Sequence, residues 1–227
     1  MNTLYKIYLS ISPFYKIYLS IIVIALLLSY ILYKKGIKSS LLLFFILLAT
    51  LLVELIAVVA GYYKLKGYTF VYHIFNLIEY VLFCLYYLKV CQTDRFKKLV
   101  KILIPVYIMF CLCISVFHYH FDGLPAINID AEGFLLFIIY THLLFSLEVN
   151  EHRLIFAHPD FWISTGILIF FGGVFVSFGV YPALLNINPT KAMGMFEKTT
   201  EPLNLILYIC IIISFICLLK TKRYSIQ

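Results

Sequence analysis

Charged residues are scarce in this chain, and that scarcity excludes a soluble fold. Of the 227 residues, 13% are charged and 63% are hydrophobic, and the mean hydropathy is +1.00. A soluble domain of this size has no interior large enough to bury so much apolar surface. A helix of about 20 apolar residues, by contrast, spans the hydrocarbon core of a bilayer. The composition therefore predicts an integral membrane protein.

Motifs for catalysis or nucleotide binding are also missing. The sequence contains no GxSxG, HExxH or CxxC pattern and no glycine-rich nucleotide loop. No lysine lies near the centre of the last apolar segment, which leaves a retinal Schiff base unsupported. His118, His120 and Asp122 are close in sequence, but a metal site would need a further ligand, so interfacial residues are the better interpretation. No cofactor and no metal are therefore predicted.

Seven apolar segments fill most of the chain, and each is long enough to cross a bilayer. The predicted spans are 15–33, 41–63, 70–88, 102–118, 132–148, 160–181 and 202–219. The intervening segments, including 119–131 and 182–201, are predicted to be loops too short for a second domain. The fold predicted for 1–227 is therefore an all-α membrane protein, a single bundle of seven transmembrane helices.

The positive charges predict how the bundle is oriented. The formal net charge is +7, and with the N-terminus outside, 12 of the 18 lysines and arginines fall on the inner side. The positive-inside rule therefore favours an outer N-terminus and a cytoplasmic C-terminus in a bacterial inner membrane. The inner lysines are expected to contact anionic lipid headgroups, not a nucleic acid. The motif YKIYLSI occurs twice, at 5–11 and at 15–21. Residues 3–12, which contain the first copy, are predicted to lie in the outer interface of the membrane.

Ionisable and amide side chains inside the spans mark a candidate polar site. A charge in lipid is expensive, so each such residue requires a partner or a function. The predicted intramembrane pocket consists of Glu54, His73, Asn76, Glu79, His142 and Asn204. Two interpretations remain open. The group binds a proton, a cation or a polar ligand, or its members hydrogen-bond one another and set the helix register.

Small residues in the sixth span predict a helix-packing surface. Thr165, Gly172 and Gly179 recur every seven residues, and Gly166 and Gly173 form a neighbouring row. In lipid, small residues allow two helix backbones to approach closely. We therefore expect another helix to pack against this side of the sixth span.

Three stretches resemble a family of small seven-span membrane proteins found in Bacteroidetes. They are VYHIFNLIEYVLF at 71–83, HPDFWISTGILIFFGG at 158–173 and EPLNLILY at 201–208. The resemblance implies a seven-helix fold and a membrane signalling partner such as a histidine kinase. It singles out Glu79, Phe161, Trp162, Gly166 and Asn204, but it supplies no chemistry for them.

Three functions are compatible with these observations, and we give them in order of preference. The first is a sensor or signalling-associated membrane protein whose polar pocket opens outward and whose partner reads its state. The alternative is a proton- or cation-coupled transporter of a small solute that uses Glu54 and Glu79, with His142 and His73 as a relay. Spans one to three do not match spans five to seven, so no inverted repeat supports this alternative. An intramembrane enzyme ranks third, because no nucleophile can be paired with a base.

Overall fold

The computed structural model describes residues 12–65, 67–147, 155–187 and 189–224. These residues form seven α-helices and a 3-10 turn, Ile155–Ala157. The helices are α1 Pro13–Lys34, α2 Ser40–Tyr63, α3 Phe70–Val90, α4 Asp94–Phe117, α5 Ala126–Phe145, α6 Pro159–Ile187 and α7 Pro189–Tyr224. Each contains a segment long and apolar enough to cross a membrane. The predicted all-α bundle of seven spanning helices is therefore confirmed.

Four helix boundaries lie about six residues or more from those predicted. Helix α4 begins at Asp94 instead of 102, and α5 begins at Ala126 instead of 132. The prediction of a loop over 182–201 is wrong, because α6 continues to Ile187 and α7 begins at Pro189. Hydropathy marks the part of a helix that contacts lipid, and these helices continue past it as polar segments. The outer segment predicted at 3–12 lies, apart from Ser12, outside the described residues.

Six of the helices form a closed ring. In order around it, α1 packs against α2, α2 against α3, α3 against α5, α5 against α6, α6 against α7, and α7 against α1. Helix α4 packs on the outside of this ring, against α3 and α5. Its outer residues Ile102, Val106 and Met109 are more than half exposed, as expected for side chains that face lipid. The ring arrangement leaves a space that six helices surround.

The two ends of the ring differ in how they are filled. We call the end at which α1, α3 and α5 begin the N-terminal face, and the opposite end the C-terminal face. The half of the ring nearer the C-terminal face is filled by large aromatic side chains with at most 1% exposure. They are Phe83, Tyr86, Tyr87, Tyr140 and Phe215. Large side chains that are this fully buried fill the space between the helices, so the residues that the structure describes close the ring on this side.

The N-terminal face is shaped by the connection from α4 to α5. His120, Phe121 and Gly123 adopt positive φ values of 49°, 60° and 70°, which reverse the chain within a few residues. The reversal brings the rings of Tyr119 and Phe121 to 5.5 and 5.6 Å from the ring of His73 on α3. The connection therefore lies against the start of α3, at one edge of the ring.

The predicted small-residue surface of α6 contacts two different helices. A Cβ atom at Gly166 would lie 2.8 Å from Cys210 Cβ of α7, and one at Gly173 would lie 2.5 Å from Leu203 Cδ1. Gly172 instead faces Phe137 of α5, at 3.5 Å. Of the remaining predicted residues, Gly179 has no atom within 4 Å of such a Cβ, and Thr165 is half-buried. Close approach to α7 therefore depends on the Gly166 and Gly173 row.

Candidate ligand cavity

A cavity of about 1420 Å³ occupies the centre of the six-helix ring. All six ring helices contribute to its wall, and α4 does not. Tyr68, Thr69, Tyr119, Gly123 and Leu124 of the connecting segments line its mouth, so the cavity reaches the N-terminal face. Thr50, Glu79, Glu132, Phe171 and Tyr208 line its deeper part. The cavity therefore extends from one face into the interior of the bundle and ends above the aromatic layer.

Glu54 joins α2 to α1 through two tyrosines. The hydroxyl of Tyr18 donates a hydrogen bond to Glu54 Oε1 at 2.8 Å, and the hydroxyl of Tyr15 donates one to Oε2. The ring of Tyr18 also lies between those of Tyr15 and Tyr208, at 5.4 and 5.8 Å. Both carboxylate oxygens of Glu54 therefore have a partner, and this residue holds the first helix in the ring.

A second cluster joins α3, α4 and α5 around Asn76. The amide nitrogen of Asn76 donates a hydrogen bond to Glu132 Oε2, and its carbonyl oxygen accepts one from the Tyr107 hydroxyl at 2.6 Å. Glu132 is 1% exposed and Asn76 is 3% exposed. A buried amide that both donates and accepts in this way fixes the relative position of three helices.

His73 extends this cluster towards the N-terminal face. Its Nδ1 lies 2.8 Å from Ser115 Oγ, and its Nε2 lies 3.3 Å from the carbonyl oxygen of Gly123. The Asn128 amide donates to the same Ser115 oxygen at 3.0 Å. A carbonyl only accepts, so Nε2 carries the proton and Nδ1 accepts from the Ser115 hydroxyl. His73 thus has its hydrogen bonds satisfied behind the cavity wall and is not among the residues that line the cavity.

Glu79 differs from Glu54 and Glu132 because neither of its oxygens has a partner among the described residues. Its side chain lines the cavity and its exposure is only 9%. It forms no hydrogen bond or ion pair with any residue that the structure describes. Oε1 of Glu132 is likewise buried without a hydrogen bond. Glu79 is close enough to Glu54 and to Glu132 for their charges to interact.

Acids outnumber bases among the described residues that line the cavity, where His118 is the one basic side chain. Among the described residues that line it there is no lysine or arginine. Five acids line it: Glu54, Glu79, Asp130, Glu132 and Glu201. Carboxylates removed from bulk water require a compensating positive charge or a proton. The cavity is therefore suited to a cation.

The structure brings together four of the six residues predicted for the pocket. Glu54, Asn76, Glu79 and Asn204 line the cavity, and Asn204 makes no hydrogen bond to a described residue. His142 does not line it. That histidine lies in the last turn of α5 near the C-terminal face, where its Nδ1 is 2.8 Å from the Tyr87 hydroxyl. The sequence-based boundary had placed α5 too far along the chain, and this error put His142 too deep.

Two residues that the resemblance singles out lie far from the cavity. Phe161 and Trp162 belong to the first turn of α6, at the C-terminal face. The Trp162 indole donates a hydrogen bond to the carbonyl oxygen of Phe156 at 2.8 Å, and the Phe161 and Trp162 rings are 5.4 Å apart. These aromatic residues anchor the turn before α6, and they have no contact with Glu79 or Asn204.

Hydropathy does not identify Glu132 or the surrounding tyrosines as cavity residues. The predicted span 132–148 puts Glu132 at its first position, where a charge would lie at the interface at little cost. Pro125, which directly precedes α5, is the signal that could have moved the helix start to Ala126. With that start, Glu132 lies almost two turns inside the helix, and its burial follows.

The fold and the cavity together define a seven-helix integral membrane protein with a central acidic cavity. Comparison with protein-family models, with curated proteins and with solved structures gives no match. The function is therefore inferred from the residues of the cavity and from the arrangement of the helices around it.

Proposed function

We propose that this protein is a sensor in a bacterial inner membrane, in which a solute enters the cavity from the N-terminal face. The observation that carries the proposal is the one-sided shape of the cavity. Its mouth lies among the loops of the N-terminal face, unpaired Glu79 lines its deeper part, and the aromatic layer closes the ring beneath. A cavity that ends inside the bundle is suited to receiving a ligand and reporting it, not to conducting it.

The reporting step would require a partner protein at the C-terminal face. Two described connections on that face, 35–39 and 91–93, are too short to hold an enzymatic domain. With the C-terminus cytoplasmic, as the lysine distribution favours, the ligand arrives from outside and the partner reads the bundle from the cytoplasm. The resemblance to proteins associated with membrane signalling supports a kinase-like partner. Ligand binding would act by shifting the ring between two arrangements.

A proton- or cation-coupled transporter is the second candidate. The observation that favours it is the position of Glu54, Glu79 and Glu132 on one cavity. Carboxyls that interact closely share a proton between them, and a transporter could release that proton on the other side. Such a mechanism requires the aromatic layer to open towards the C-terminal face. The two candidates therefore differ in whether the ring ever opens on that side.

A liposome experiment separates the two functions. Purified protein is reconstituted with a pH-sensitive dye inside, and a proton gradient is imposed on wild type, Glu54→Gln, Glu79→Gln and the surface control Asp94→Asn. If the protein is a sensor, the rate of proton flux in all four samples should equal that of empty liposomes. In the same vesicles an impermeant maleimide is added at the C-terminal face, and Cys84, a fully buried free thiol five residues past Glu79, is expected to stay unmodified.

The opposite result identifies a transporter. Proton flux in wild type and in Asp94→Asn that Glu54→Gln or Glu79→Gln abolishes would replace the sensor proposal. Modification of Cys84 from the C-terminal face would also replace the sensor proposal, because the reagent reaches that thiol only through an opened aromatic layer. The modified residue is located by mass spectrometry.

A further inference from the structure

The cavity leaves a defined set of hydrogen-bond acceptors open. Glu54 uses both of its oxygens on Tyr15 and Tyr18, and Glu132 uses Oε2 on Asn76. Glu132 therefore has Oε1 without a described partner, and Glu79 has both of its oxygens open. Asp130 Oδ1, one turn from the start of α5, and the Asn204 amide also line the cavity without a described hydrogen bond. Buried acceptors without donors cost free energy, so a ligand that donates to them gains the full value of the bonds. The ligand should therefore be rich in donors and positively charged.

The cavity is too large and its acids are too dispersed for a bare metal ion. Among the residues that the structure describes, no three His, Cys, Asp or Glu side chains are grouped closely enough to coordinate one metal. Its volume of about 1420 Å³ exceeds the roughly 300–1000 Å³ of ordinary small-molecule pockets. The positive charge should therefore belong to an organic molecule with a body that occupies part of this volume.

The walls around the open acceptors are aromatic and apolar. Tyr15, Tyr18, Tyr72 and Tyr208 line the cavity together with Phe171 and Val174. Aromatic faces attract an organic cation through the negative charge above the ring, and they also cover an apolar body. The cavity thus offers a carboxylate end and an apolar wall to the same molecule.

We propose that the cavity binds a primary organic ammonium ion with an apolar body. This inference rests on the proposed function, because it names the ligand class of the same cavity. An ammonium group has three N–H donors, and three carboxylate oxygens of Glu79 and Glu132 are open to receive them. A neutral alcohol of the same shape brings no charge, and a trimethylammonium group brings charge without donors. The arrangement therefore discriminates in favour of the primary amine.

The test is binding of 3-phenylpropylammonium to the full chain in nanodiscs of phosphatidylcholine, measured by calorimetry with empty nanodiscs subtracted. We expect saturable binding to wild type. The neutral 3-phenylpropan-1-ol and the trimethylated amine should each bind at least about tenfold more weakly. Glu79→Gln should weaken ammonium binding by roughly tenfold to a hundredfold, since it removes a charge-assisted bond. The control Asp94→Asn, which removes an exposed acid outside the cavity, should leave the affinity unchanged.

Glu132→Gln is a second variant, and it should also weaken ammonium binding while keeping an oxygen for Asn76. The melting temperature of each variant is measured to show that the bundle is intact. Absence of saturable ammonium binding to wild type would overturn the inference. Equal affinity for the alcohol, or an unchanged affinity in both folded variants, would do so as well.

These outcomes are separate from those that decide the proposed function. If ammonium binds with the predicted selectivity while proton flux or Cys84 modification is also observed, the proposed ligand class would stand. The proposal that the protein is a sensor would then be wrong. Loss of selectivity with a closed C-terminal face would remove the ligand class alone.

Discussion

Asn76→Leu is expected to lower the free energy of unfolding by about 3 kcal/mol, the largest effect that we predict for a single side chain. Leucine keeps the branched shape of asparagine in a larger volume, so the change leaves no cavity. It leaves Glu132 Oε2 without its donor and the Tyr107 hydroxyl without its Asn76 acceptor, both inside the bundle. The loss would appear as a shift of the unfolding midpoint in mixed micelles with increasing denaturing detergent.

Asn204→Leu is the matched control for this prediction. Asn204 is also an asparagine on a ring helix, but it lines the cavity and has no hydrogen bond to a described residue. Its replacement should change the unfolding free energy by less than about 1 kcal/mol. Similar losses in the two variants would show that the cluster around Asn76 does not hold α3, α4 and α5 together.

Gly166→Ala is expected to have the second-largest effect, a decrease of about 1–3 kcal/mol in the free energy of unfolding. The added methyl group would lie 2.8 Å from Cys210 Cβ and 3.4 Å from the carbonyl oxygen of Leu207. Neither atom is at the flexible end of a side chain, so α6 and α7 must move apart. The measurement is the same detergent-induced unfolding, because separation of these helices weakens their long contact.

Two other glycines of α6 provide the comparison. At Gly173 the nearest atoms are the methyl ends of Leu203, which can rotate away, so alanine there should cost less than at Gly166. At Gly179 no atom lies within 4 Å of the added carbon, and alanine should be neutral or stabilising because it favours the helix. A loss at Gly179 as large as that at Gly166 would contradict the packing account.

The spanning helices were predictable because lipid imposes a simple requirement on length and polarity. The helix ends were harder to predict, because hydropathy does not report where a helix leaves the membrane and continues as a polar segment. Pro202 illustrates the difficulty: it resembles a helix start in sequence, yet it lies inside α7. A single proline removes one backbone hydrogen bond, and a long, well-packed helix tolerates that loss.

Part of the cavity was predictable from the cost of charge in lipid. Glu54 and Glu79 attract attention in the sequence because a charge inside a span requires a reason. The tyrosines around these two acids could not be identified in the same way. The chain has 19 tyrosines spread along its length, and tyrosine occurs both at membrane interfaces and in protein interiors. Which side chains meet also depends on the order of helices around the ring. That order places α3 beside α5 and α4 outside, and neither span length nor hydropathy encodes it.

The central claim is that an acidic cavity opens to the N-terminal face alone, and labelling of Thr50→Cys tests it most directly. Thr50 lines the deep part of the cavity and is 4% exposed, and cysteine nearly matches its size. In sealed vesicles of known orientation, the rates are measured with an impermeant methanethiosulfonate that carries a trimethylammonium group and with its sulfonate counterpart. Wild type provides the baseline for native cysteines, and Leu52→Cys on the lipid side provides the control.

We predict modification of Thr50→Cys from the N-terminal face, at least about tenfold faster with the cationic reagent because the acids concentrate positive charge in the cavity. No modification above the baseline is expected from the C-terminal face or at Leu52→Cys. Modification from the C-terminal face, no reaction from the N-terminal face, or equal rates for the two reagents would contradict the account.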